Sequence, residues 1–270
     1  MKIITPYIGA SWVIEFRSIF GAIFLSLLLI PKFPKIQIGN NLHKLVIIST
    51  CKFVLPFLLV AKASESIPAS IIAVLFSTGP LLSAALTTIL EKKRPSKTKL
   101  LGLLLGFSGV AFLLLGLDNN PAHANNDIYS MALVVLAALI YAVGGIYTHN
   151  VSHSIKMNPT GILVSGLWTA SIIGLIFPLI TNKDVPELKS LMPVLPHLIS
   201  LGCLSTGFAN LLYFRLLKAW GAVSAISVVF TVPVFGMFWC NVLLNEIITL
   251  NMLVCCVLVI IGSLLVISKQ

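Results

Sequence analysis

Ser18-Ile19-Phe20-Gly21-Ala22-Ile23-Phe24 and Ser171-Ile172-Ile173-Gly174-Leu175-Ile176-Phe177 are one motif written twice, 153 residues apart and without a gap. In the same register Pro6 falls on Pro159, Ala69 on Ala222, Thr78 on Thr231, Pro80 on Pro233 and Gly109 on Gly262. Apolar residues coincide readily in an apolar chain, whereas prolines and glycines sharing one offset do not. A repeat of this length is read first because it sets the architecture. In an apolar chain it points to a transporter built from two halves.

The chain is 58% hydrophobic and 10% charged, with a mean hydropathy of +1.04. Soluble domains are about a quarter charged, so water is not the main solvent here. A membrane span needs about 20 mostly apolar residues. Such stretches are predicted near 6–30, 45–63, 68–90, 100–117, 128–148, 160–181, 195–217, 222–244 and 250–268. The short connections leave no room for a soluble domain, so the expected fold is an all-α polytopic membrane protein of about nine transmembrane helices. The N-terminus does not read as a signal peptide. Pro6, Glu15 and Arg17 interrupt its apolar stretch and no small-residue cleavage site follows, so a retained helix is expected.

The net charge of +10 is distributed as a topology signal. Lys32, Lys35, Lys44, Lys92, Lys93, Arg94, Lys97, Lys99, Lys156, Arg215, Lys218 and Lys269 fall on one side if the spans alternate. The other side holds Lys2, Lys62, Lys183 and Lys189, and the loop Asp118–Asp127 has neither Lys nor Arg. Positive residues are retained in the cytoplasm, which puts the C-terminus inside and the N-terminus outside. Attraction to anionic lipid adds to this, and nucleic acid is not implied. Cys51, Cys203, Cys240, Cys255 and Cys256 all lie in predicted spans without CxxC spacing, so packing is expected rather than disulfides or metal.

The offset pairs span one with six, two with seven, three with eight and four with nine. Span five has no partner, because its counterpart would precede residue 1. Paired spans are five apart, an odd number, so each crosses the membrane opposite to its twin. The expectation is two inverted-topology repeats, 1–117 with four helices and 128–270 with five, in one membrane domain. Halves related in this way rock about a pseudo-two-fold axis and commonly hold substrate where they meet. Some channels share the symmetry.

Ile67-Pro68-Ala69-Ser70, Ser77-Thr78-Gly79-Pro80, Glu91 and Gly102 to Gly109 resemble the first-half signature of EamA-type drug/metabolite transporters. Gly221-Ala222-Val223-Ser224, Thr231-Val232-Pro233-Val234-Phe235, Glu246 and Gly262 resemble the second-half signature more closely, and the Arg17 helix resembles the family's second helix. The resemblance covers most of the chain. It implies ten helices in two five-helix halves, both termini cytoplasmic, and export or uptake of small metabolites across the inner membrane. This chain lacks the first helix of that plan, so either the start lies upstream of Met1 or a nine-helix form exists. The first helix of each half helps wall the cavity in such proteins, which bears on transport competence.

Pro80 and Pro233 sit mid-span at matching positions, each two residues after a threonine, Thr78 and Thr231. Proline frees a helix carbonyl, which in lipid must be satisfied by a neighbour, a hydroxyl or cavity water. Paired interrupted spans mark binding sites in this architecture; a kink that only shapes packing is an equal alternative. Charges within spans are costly and point to function. Arg17 suits an anionic group bidentately, and Lys52 and Glu15 lie at depths that allow an interhelical pair. A structural ion pair or snorkelling is the alternative for all three, and Glu15 ranks last as a substrate contact. Trp168, Tyr141, Tyr147, Asn210 and Tyr213 suit a pocket for a flat metabolite, although Tyr147 and Tyr213 read better as interfacial anchors.

Other signals carry less. His149 and His153 have metal-like spacing but lie in a loop without a carboxylate, and the sequon Asn150-Val151-Ser152 falls on the cytoplasmic side. Glu91 and Glu246, 155 residues apart, read as interfacial or structural groups. No P-loop and no catalytic cluster occurs in the spans, so neither an enzyme nor direct ATP coupling is indicated.

The expected function is secondary transport of a small organic metabolite across the bacterial inner (plasma) membrane by alternating access. The alternatives are a non-transporting scaffold or a membrane-embedded enzyme. Candidate substrate-binding residues are Arg17, Lys52, Thr78, Pro80, Trp168, Asn210, Thr231 and Pro233. No catalytic residue, metal or cofactor is expected. The partners are the metabolite and membrane lipid, not nucleic acid, and a homodimer stays open. An acid supply consisting essentially of Glu15 favours exchange or facilitated movement over proton coupling.

Overall fold

Helix accounts for the architecture in the computed structural model, which describes residues 2–29, 41–90, 92, 95–114, 127–152, 159–180, 185–212, 215 and 231–267. Most of the basic loop residues, Glu91, His153, Tyr213 and the Gly221–Ser224 motif lie outside the described residues. The helices are α1 (Thr5–Leu28), α2 (Leu42–Ser49), α3 (Leu55–Ala63), α4 (Ala69–Phe76), α5 (Gly79–Leu90), α6 (Lys97–Leu114) and α7 (Ile128–Ser152). There follow α8 (Pro159–Gly174), α9 (Ile176–Ile180), α10 (Leu188–Leu191), α11 (Leu195–Ile199), α12 (Thr231–Leu244) and α13 (Leu250–Ile267). Two π-helical segments, π1 (Thr50–Val54) and π2 (Ser200–Phe208), interrupt the second and seventh spans. No strand occurs among the described residues.

Among the described residues seven helical stretches are long and apolar enough to cross a membrane, and the shorter α12 and α13 are also apolar. Large apolar side chains face outward along them, including Leu104 (64% exposed), Ile172 (68%) and Phe235 (58%). Such surface is unfavourable in water and favourable in lipid. The protein is an all-α polytopic membrane protein, as its composition leads one to expect.

The chain divides into two compact units: Met1–Glu65 with Gly144–Gly221, and Ser66–Val143 with Ala222–Gln270. Each takes spans from both halves of the sequence. In the first unit α1 packs against π2, α8 and α3, while α2 and π1 pack against α8. Ile14, Leu25, Phe53, Leu163, Val164, Leu167 and Leu211 contribute to its main core. A smaller cluster of Ile4, Ile8, Val13, Val194 and Leu198 lies under the start of α1. Pro6 sits in the first turn of α1, where a missing amide proton costs nothing. α1 breaks at Gly9, whose φ of 75° is open to glycine and strained for other residues.

In the second unit α6 lies along α13, and α12 packs on α4. The α6–α13 contact is backbone on backbone. A Cβ on Gly102 would lie 2.5 Å from the Gly262 carbonyl oxygen, and one on Gly262 equally close to that of Gly102. Small residues at this crossing let the two axes approach, which is how helices gain contact in lipid.

Elements 153 residues apart share several irregularities. α6 and α13 match at both ends. π1, shifted by the offset, falls at residues 203–207, inside π2. Lys92 and Asn245, one offset apart, both have φ of 52° after the helices they follow. The approach of Gly109 to the Cys255 carbonyl has as its image the approach of Gly262 to that of Gly102.

Candidate functional site

α1 brings two ionisable side chains into the interior of the first unit, Glu15 (1% exposed) and Arg17 (5%). They leave the helix in different directions, as a two-residue separation requires. Arg17 faces α3 and π2. Its Nε donates to Thr206 Oγ1 at 2.6 Å, and its guanidinium carbon lies 3.4 Å from the centre of the Phe57 ring. A cation over an aromatic face is attracted by the ring quadrupole, most strongly where water is excluded.

The π2 backbone positions this contact. Thr206 Oγ1 donates to the Leu201 carbonyl, 3.0 Å away and five residues back, the spacing of the π-helical turn. Asn210 Nδ2 donates to the Thr206 carbonyl at 2.8 Å. Asn210 is thereby linked to Arg17 through Thr206. α1 and π2 come close enough for this because they cross at glycines. A Cβ on Gly21 would lie 3.2 Å from the Gly202 carbonyl, and one on Gly202 would lie 2.5 Å from Phe20 Cβ. The sequence reading omitted Thr206, although Gly202 and Thr206 form a small-xxx-small pair that marks close helix contact.

Glu15 points toward α8. Neither of its carboxylate oxygens has a hydrogen-bond partner, so the Glu15–Lys52 pair that their depths allowed is not formed. The carboxylate occupies the space where a Cβ of Gly174 would stand. Lys52 is half-buried in π1. Trp168, 40% exposed on α8, donates from Nε1 to Ser26 Oγ at 3.0 Å and so ties α8 to α1.

The second unit holds the other four candidates. The third span is broken rather than merely bent: α4 stops at Phe76, and Pro80 is the second residue of α5. Ser77 Oγ donates to the Val74 carbonyl at 2.6 Å, and Thr78 Oγ1 to that of Leu75 at 2.7 Å. Of the three ways to satisfy carbonyls at a break within lipid, this one uses hydroxyls. Thr231 and Pro233 are among the first described residues of α12, Thr231 exposed and Pro233 buried.

Glu246, beyond the end of α12, caps α4 across the unit. Its carboxylate accepts from the Ala69 and Ser70 amides at 2.8 Å each and from Ser70 Oγ at 2.7 Å. Negative charge at a helix N-terminus meets unpaired amides and the positive end of the helix dipole. This is a structural role, as the sequence reading placed it, although the partner was not visible there.

Tyr141 rests against Phe76 with ring centres 5.6 Å apart, and Tyr147 packs with Ile48 and Ile162. His149 lies in the last turn of α7, not in a loop, because that helix runs on through the sequon to Ser152. The cysteines are free thiols. Among the described residues no three His, Cys, Asp or Glu side chains gather as metal ligands. An open cavity of about 420 Å³, lined by Ile3, Ile4, His197, Ser200, Leu201, Leu204 and Ser205, contains none of the candidate residues.

Known proteins resemble this chain in sequence and in fold. The sequence profile of the EamA-like transporter family matches residues 1–115 and 128–268. An uncharacterized transporter of Archaeoglobus fulgidus is 26% identical over 204 residues, 76% of this chain and 70% of that protein. The uncharacterized transporter YvbV of Bacillus subtilis is 22% identical over 260 residues, 94% of this chain and 81% of its own. A crystal structure at 14% identity shares the fold with a TM-score of 0.66, over 96% of this chain and 89% of that one.

Proposed function

The chain belongs to the EamA-like transporter family, and from that premise we propose that it moves a small organic metabolite across the membrane by alternating access between two inverted repeats. The observation that carries this reading is the doubling of backbone irregularities at one offset. The π-segments, the left-handed residues Lys92 and Asn245 and the ends of α6 and α13 all recur 153 residues apart. Duplicated halves of opposite topology give two nearly equivalent states, one open to each side. The sequence repeats are 1–117 and 128–270.

Arg17 and Lys52 are the residues proposed to meet cargo in the first unit, with Arg17 suited to an anionic group. Trp168 and Asn210 line the same helices and hold their register through Ser26 and Thr206. Thr78 with Pro80, and Thr231 with Pro233, are the paired points about which the third and eighth spans bend. The charge distribution supports a cytoplasmic C-terminus in the inner membrane.

A thermal-shift screen of the purified full chain against a metabolite library tests the reading, followed by uptake of each hit into proteoliposomes. One chemical class of metabolite is expected to raise the unfolding temperature and to accumulate inside. A screen without hits, together with flux no greater than in empty vesicles, would overturn it.

A further inference from the structure

We propose that Glu15 is a proton-exchange site, so that the transport cycle proposed above moves protons as well as cargo. This rests on the transporter reading and adds a coupling ion to it. Glu15 is 1% exposed and both its oxygens lack a hydrogen-bond partner. An ionised carboxylate buried in that way is far less stable than a neutral acid. In the described conformation the group therefore carries its proton.

Among the described residues the surroundings supply no substitute charge. Arg17, on the same helix, is turned toward Thr206 and Phe57. α8 and α9, which pack on α1, contain no ionisable residue. On π2 the Cys203 thiol donates to the Phe20 carbonyl. Lys62 at the end of α3 pairs with Glu65, while His197 of α11, Lys189 of α10 and Lys52 of π1 place no hydrogen bond on Glu15.

The space is matched to the carboxyl and to little else. Gly174 leaves a recess on α8, and the Glu15 carboxyl itself fills it. A proton adds no volume there, whereas a metal ion or an ammonium group would need room. When alternating access wets this face the acid loses its proton to water as hydronium. When the face closes, the carboxylate takes a proton back from hydronium, leaving water. One proton is then bound and released per cycle.

Infrared spectroscopy of the full chain in lipid nanodiscs, titrated from acid to alkaline pH, tests this without knowledge of the cargo. The expected result is a protonated carboxylic acid band that persists at neutral pH and fades as pH rises. It should shift when glutamate is labelled with carbon-13 and be absent from Glu15→Gln. The labelled wild-type protein gives the answer even if the variant folds poorly. Absence of the band at neutral pH, or a band that never fades, would overturn the proposal. Metabolite-induced thermal shifts on the same preparation separate the two readings. Cargo binding without a titrating band removes proton coupling alone; a titrating band without cargo binding removes the metabolite reading alone.

Discussion

The two compact units use the repeat differently. In the second unit it preserves side chains as well as backbone: Thr78 answers Thr231, Pro80 answers Pro233, and Gly109 answers Gly262. In the first unit Pro6 answers Pro159, Gly21 answers Gly174 and Phe24 answers Phe177, while the charged positions do not repeat. Glu15 corresponds to Trp168, Arg17 to Ala170 and Lys52 to Ser205. Among the described residues no charged side chain of the second unit is buried, whereas the first buries Glu15 and Arg17. Packing that depends on glycine backbone contact must be kept in both copies. Chemistry that needs one charge is served by a single copy, and a second buried charge would add cost.

Substitutions that break this contrast should differ in size and in kind. The largest loss is expected for Gly262→Ala, whose new methyl would stand 2.5 Å from the Gly102 carbonyl oxygen. Overpacking of this kind costs roughly 1–3 kcal/mol or more, seen as a lower unfolding temperature and a smaller monodisperse peak. Arg17→Met should follow, with a loss of about 1.5–3 kcal/mol for a hydrogen bond to a charged group. Loss of the metabolite-induced shift as well would assign Arg17 to cargo, and its retention would restrict Arg17 to packing.

Glu246→Ala removes the cap of α4 and should cost about 0.5–2 kcal/mol, read in the same melting experiment. Pro80→Ala should change stability by less than about 1 kcal/mol, since a first turn accepts either residue, and Pro233→Ala alters its partner in the repeat. Both should nonetheless impair uptake at normal membrane abundance, and unchanged uptake in both would remove the paired-hinge idea. Gly145→Ala sets the baseline. A Cβ there meets nothing within 4 Å, so the melting temperature should hold or rise.

Legibility followed the range of the interaction. The sixth helix begins at Lys97, three residues before the apolar stretch predicted at 100–117, because hydropathy discounts lysines that a helix end accepts. The third span was legible as a proline-bearing segment, yet its break at Ser77-Thr78 and the hydroxyl bonds that repair it were not. The seventh span reads as one apolar run, whereas the chain forms α11 and then π2 there. A π-helical turn leaves apolarity unchanged, so hydropathy does not register it. Thr206 and Glu246 were placed by partners 189 and 177 residues away in sequence, Arg17 and Ala69.

By itself the sequence determined that the chain lives in lipid, where its spans run and that they recur at one offset. Apolar run length and residue spacing are local properties, and a shared register survives in prolines and glycines. Only the tertiary structure decided which spans share a unit, that Arg17 meets Thr206 and Phe57, and that Glu15 faces Gly174 without a partner. Those outcomes depend on how each helix is rotated and how closely its neighbour approaches. Both are set by packing among residues far apart in the chain.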